Sequence, residues 1–117
     1  MGSAGTGNFG DYKQTSAQSG TRCDASLDVD LEDVATMPYF VATSAVPKAG
    51  TAVRVRAAPV NKRLVVEEVP TGQVIGTLPT IYNYLLICIG KGYQYEGTVS
   101  ASGLRPIPSI DVHLDSV

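Results

Sequence analysis

Residues 63–78 read Arg63-Leu64-Val65-Val66-Glu67-Glu68-Val69-Pro70-Thr71-Gly72-Gln73-Val74-Ile75-Gly76-Thr77-Leu78, and this stretch decides what fold to expect. Two short runs rich in β-branched residues flank Pro70-Thr71-Gly72, where proline presets φ and glycine supplies the positive φ of a tight turn. The spacing predicts a β-hairpin, with a third strand over 63–69 and a fourth over 73–78.

The flanking sequence extends this pattern. In Leu27-Asp28-Val29-Asp30-Leu31-Glu32 apolar and acidic residues alternate, which puts Leu27, Val29 and Leu31 on one face of a first strand and three carboxylates on the other. Residues 51–57 alternate again, with Val53 and Val55 inward and Arg54 and Arg56 outward. The connection from Met37 to Gly50 is punctuated by Pro38 and Pro47 and predicts a loop with a short extended piece over 39–43. Pro79-Thr80 offers a helix start with Thr80 as N-cap. Ile81, Tyr84, Leu85 and Cys88 then recur on one helical face before Gly90-Lys91-Gly92 ends it. Residues 93–101 and 110–114 complete the strands. The fold expected is mainly β: a small six-stranded SH3/OB-like barrel over residues 23–117, with one helix between strands 4 and 5.

Residues 1–22 contain no Val, Ile or Leu and are rich in glycine, so they read as a flexible tail. Gly5-Thr6-Gly7-Asn8-Phe9-Gly10 has the G-x-G-x-x-G spacing, but that fingerprint holds a phosphate only between a strand and a helix, and neither flanks it here. Met1 to Thr6 also fits a myristoylation pattern made of residues common in any Gly/Ser tail. With no run of 18 apolar residues and no signal-peptide pattern, the expectation is a cytoplasmic protein, without membrane contact, whose Cys23 and Cys88 stay reduced.

The formal net charge of −2 averages unlike regions. No acidic residue occurs between Asp33 and Glu67, and Arg54, Arg56, Lys62 and Arg63 fall inside that window as the candidate polyanion-facing patch. Tyr82, Tyr93 and Tyr95, with Tyr84, cluster around the helix and the following strand; such rings stack on bases in small barrels or cover the end of a core. No catalytic equipment, cofactor motif or metal site is visible. Asp28, Asp30 and Glu32 lack the glycine and the terminal glutamate of a calcium loop, and two cysteines with one histidine are too few for structural zinc. His113 is expected at the surface without a marked nucleophile, and Cys88 as a buried small hydrophobe.

Residues 50–114 resemble the HIRAN domain, a small β-barrel found alone and on DNA-remodelling helicases. The likeness rests on Gly50-Thr51-Ala52-Val53-Arg54-Val55-Arg56, on Gly72-Gln73-Val74-Ile75-Gly76-Thr77-Leu78-Pro79 leading into a helix, and on Tyr95-Glu96-Gly97-Thr98-Val99 before a final apolar strand. It implies binding of single-stranded DNA, free 3′ ends included, with Arg54 or Arg56 on phosphate and Thr77 where the family carries a larger residue. The family's N-P-Y-D-x-N-A-I segment is replaced by Pro59-Val60-Asn61-Lys62-Arg63. The chain is also similar to short bacterial proteins in which a Gly-rich tail precedes such a barrel. The function expected is a non-catalytic binding module for single-stranded nucleic acid; the alternative is a protein-interaction or assembly subunit using the tail and a sheet edge.

Overall fold

The computed structural model describes residues 23–117, so the tail and its glycine motif lie outside the described residues. Among the described residues six antiparallel strands form one sheet: β1 (Leu27–Asp30), β2 (Ala52–Val55), β3 (Val65–Glu68), β4 (Val74–Thr77), β5 (Tyr95–Gly103) and β6 (Ser109–Ser116). Their order is β1-β6-β5-β2-β3-β4. The sheet curls into a half-barrel whose two ends meet just past β1, where Glu32 and Thr77 exchange N–H···O=C bonds of 2.9 Å.

Alternation explains which face of each strand is inside. Leu27, Val29 and Leu31 from the first strand region, Val53 and Val55 from β2, and Ile110, Val112 and Leu114 from β6 all enter the core. β3 departs from alternation, because Glu67 and Glu68 are buried along with Val65 and Val66. Two register shifts help the sheet bend: the β5–β6 ladder skips Ser100, and the β3–β4 ladder skips Ile75.

Two glycines permit close approaches that closure needs. A Cβ on Gly97 would stand 1.7 Å from the carbonyl oxygen of His113 across the β5–β6 ladder, and one on Gly76 would stand 2.8 Å from Cβ of Leu31. The backbone of β6 requires glycine at 97, and the Leu31 side chain, with the Glu32 carbonyl oxygen at 3.2 Å, requires it at 76.

Helix α1 (Pro38–Thr43) replaces the extended piece expected over 39–43. Pro38 occupies its first turn, where the missing N–H has no partner to lose, and Ser44 ends it at φ 55° with its N–H on the Phe40 carbonyl. The helix between β4 and β5 is present but divided. A 3-10 turn (Thr80–Tyr82) follows Pro79, and α2 (Leu85–Gly90) follows Tyr84. Thr80 makes no capping bond and Ile81 is 73% exposed, so the buried face is Leu85 and Cys88 alone. Among the described residues no helix is long and apolar enough to cross a membrane.

The cysteines are not free thiols. Cys23 and Cys88 form a disulfide across a sequence separation of 65, and Cys23 is further tied by its carbonyl, which accepts the Tyr95 hydroxyl at 2.8 Å. Sequence spacing carries no trace of this pairing; only the packing of α2 against the start of the domain brings the two Cα atoms to 5.6 Å.

Candidate functional site

β2 and β3 are neighbours in register, with Arg54 directly opposite Glu67. That pairing changes the character of the basic patch. Glu67 accepts Arg54 Nε at 2.5 Å on one oxygen and Arg56 Nε at 2.5 Å on the other, while Arg56 Nη2 also donates to the Gly72 carbonyl at 3.0 Å. The Arg56 hydrogen bond, reinforced by Arg54, holds the Glu67 carboxyl below its ordinary value although burial opposes this.

Arg63 is engaged in the same way on the other side of the hairpin. It meets Glu32 at 2.6 Å and Asp33 at 3.2 Å and donates to the Leu78 carbonyl at 2.8 Å, and its Nε is buried without an acceptor. Thr77 Oγ1 donates to Asp33 at 3.1 Å, which ties this cluster to the barrel closure. Lys62 differs from the three arginines. It sits with Asn61 at the tip of a two-residue turn in which Val60 and Arg63 exchange hydrogen bonds of 2.9 and 3.0 Å. Asn61 and Lys62 have φ of 52° and 64°, the signature of a primed hairpin turn.

The tyrosines separate too. Tyr95 is 1% exposed, and burial, with Tyr84, Tyr93 and Asp24 nearby, pushes its phenol up to about 12; its ring is core and offers no face to a base. Tyr82 and Tyr93 are half-buried and pack against the same core, Tyr82 with its ring 6.4 Å from that of Tyr84. Of the seven residues predicted for nucleic acid, the structure therefore joins Arg54 and Arg56 through Glu67, holds Arg63 in a separate ion cluster, leaves Lys62 on a turn and buries Tyr95.

A groove of about 360 Å³ opens between the start of α1, the Asn61–Lys62 turn and the β3–β4 hairpin. Met37, Pro38, Val60, Val65 and Val74 give it apolar walls; Asp33, Asn61, Thr77, Arg56 and Arg63 give it a polar rim. This volume lies at the lower end of the range for ligand pockets. Asp33 and Asn61 both hold positive φ, so two strained non-glycine residues border one groove. The sequence signals it only through Pro59-Val60-Asn61-Lys62, which reads as a turn; Met37 and Pro38 join it because α1 folds where a loop was expected, and Asp33 through the 3-10 turn Val34–Thr36 that it precedes.

The outer face of β1 and β6 is acidic. His113 Nδ1 stands 2.7 Å from Asp28 and Nε2 stands 3.3 Å from Asp115, and the hydrogen bond with Asp28 raises the imidazole above its ordinary value. Ser26 donates to Asp115 and not to His113, so the order is hydroxyl–carboxylate–imidazole rather than the hydroxyl–imidazole–carboxylate of serine hydrolysis. Next to it Asp30 faces Asp111, and burial, then the hydrogen bond and charge of Asp30, raises Asp111. Among the described residues no group of three or more His, Cys, Asp or Glu is placed to hold a metal ion.

Comparison of the chain with protein-family models, with curated proteins and with solved structures found no match.

Proposed function

We propose that this protein is a non-catalytic β-barrel binding module that takes an extended segment of a partner protein, with one apolar side chain of that segment seated between Met37, Pro38, Val60 and Val74. The observation that carries this reading is the groove itself: apolar walls, a rim of hydrogen-bonding groups, and arginines each already in an ion pair with a carboxylate of the same chain. A phosphate backbone gains affinity by pairing with cations and releasing counterions. Here it would have to compete with Glu67 for Arg54 and Arg56, and with Glu32 and Asp33 for Arg63. An apolar anchor with main-chain hydrogen bonds needs no such exchange and is a general way for a small domain to hold a peptide.

The test is fluorescence anisotropy with peptides selected on the intact protein from a library of extended sequences. A labelled single-stranded oligonucleotide is titrated in parallel at low and physiological salt. The expected result is saturable peptide binding, weakened at least about tenfold by Val60→Asp, since a carboxylate cannot replace an apolar wall without losing that contact. Val60 is 45% exposed, so the variant keeps the wild-type melting temperature. Saturable oligonucleotide binding that falls with salt and disappears in the Arg54→Ala, Arg56→Ala variant, with no selectable peptide, would overturn this reading in favour of single-stranded DNA.

A further inference from the structure

Cys23 and Cys88 are 1% and 0% exposed, and the Cys23 carbonyl accepts a hydrogen bond from Tyr95, itself 1% exposed. Thiol–disulfide exchange needs a thiolate to approach one sulfur, and cysteines that act as redox sensors are accessible. Neither sulfur is reachable here unless α2 or residues 23–26 come away from the barrel. The bond also closes a loop that contains β1, β2, β3 and β4, so four of the six strands lie within it. Small domains with modest cores gain most from such a link, and it persists where the surroundings are oxidising.

We propose that the Cys23–Cys88 bond is a permanent maturation cross-link, made in an oxidising compartment, on which the folded domain depends. This is independent of what the groove binds, and it replaces the cytoplasmic location expected from sequence. In its formation one cysteine thiolate attacks the disulfide of a dithiol–disulfide oxidant protein and gives a mixed disulfide. The second cysteine thiolate then attacks that bond and expels the oxidant as a dithiol. Two electrons and two protons leave the chain, and the oxidant takes them up.

The experiment makes the full chain twice in one bacterial host, once in the cytosol and once exported to the periplasm; thiols are trapped by a maleimide in acid-quenched, denatured samples so that buried thiols react, and melting is read on unlabelled protein purified in parallel without air. The exported chain is expected to carry no adduct and to melt cooperatively. The cytosolic chain is expected to carry an adduct on each of its two cysteines and to melt about 20 °C lower or without a cooperative transition. A cytosolic chain that carries both adducts and melts with the exported one would refute the dependence. A cytosolic chain already fully oxidised would refute the need for a special compartment. Purified exported protein is also incubated with millimolar reduced glutathione under native conditions. Retention of the bond for hours supports a permanent link, and exchange within minutes would show a switch instead.

Discussion

Gly97→Ala gives the sharpest test of how this barrel is held together. Gly97 lies in β5 between β2 and β6, opposite Val53 on one side and Leu114 on the other. An added Cβ would stand 1.7 Å from the His113 carbonyl oxygen, whereas real Cβ contacts are not found under 3.0 Å. The β6 backbone must therefore retreat by at least about 1.3 Å, which a hydrogen-bonded ladder does not absorb without loss. The rungs on either side, Glu96–Asp115 and Thr98–His113, are the ones displaced. Weakening two ladder bonds costs about 1 kcal/mol each, and strain passed to neighbouring core side chains adds about 1 kcal/mol more. The expected loss is about 3 kcal/mol, or roughly 15 °C in melting temperature for a domain of this size. Urea unfolding followed by tyrosine fluorescence, together with thermal melts, reads it directly, since the chain has no tryptophan. Gly90→Ala is the control: a Cβ there meets nothing within 4 Å at the end of α2, and the variant should gain up to about 0.5 kcal/mol. A Gly97→Ala loss under about 0.5 kcal/mol would mean that β5 and β6 are not packed as described, and would return the Tyr95–Val99 motif to a functional explanation.

The other expectations concern the cross-link, the turn and the charged clusters. Reducing the disulfide frees a loop set by the sequence separation of 65; its closure entropy corresponds to about 4 kcal/mol, which urea titration of oxidised and reduced protein should show as a large fall in midpoint. Tyr95→Phe removes the donor to the Cys23 carbonyl and should cost about 1 kcal/mol by the same titration, with an unchanged value arguing that this hydrogen bond is idle. Lys62→Gly relieves the positive φ of the turn and should stabilise by up to about 1 kcal/mol, a gain that a stability-neutral result would deny. Glu67 is held below its ordinary value, so its ion pairs stabilise the fold above the unfolded-state value of 4.5 and lose that contribution as pH falls through the folded-state value. Arg54→Gln with Arg56→Gln should therefore flatten the acid limb of a melting-temperature profile. His113 is shifted the other way. Its contacts with Asp28 and Asp115 stabilise fully below the unfolded value of 6.5 and fade as pH rises through the folded value, a slope that should vanish in His113→Gln.

How much of this was legible beforehand depends on the range of the interaction that decided each feature. Alternation at 27–32 and 51–57 was enough to place Leu27, Val29, Leu31, Val53 and Val55 in a core, because side chains in a strand point to opposite faces whatever the rest of the chain does. The hairpin at 63–78 was equally local: Pro70 and Gly72 specify a turn through their own φ preferences. Together with the last two strands, these local rules determined a six-stranded β fold with a helical segment before β5. What decided the site lay farther apart. Arg54 and Arg56 look like a free basic patch only until Glu67 from the adjacent strand is set between them, and Arg63 until Glu32 and Asp33 arrive through barrel closure. The partners are chosen by strand register and by the curl of the sheet, which composition and periodicity do not encode locally. The same holds for Cys23 and Cys88, for Tyr95 turned into the core, and for the groove beneath α1. Periodicity determined which residues face inward; only the tertiary structure decided which of those facing outward are already spoken for, because a charge is neutralised by what is near it in space.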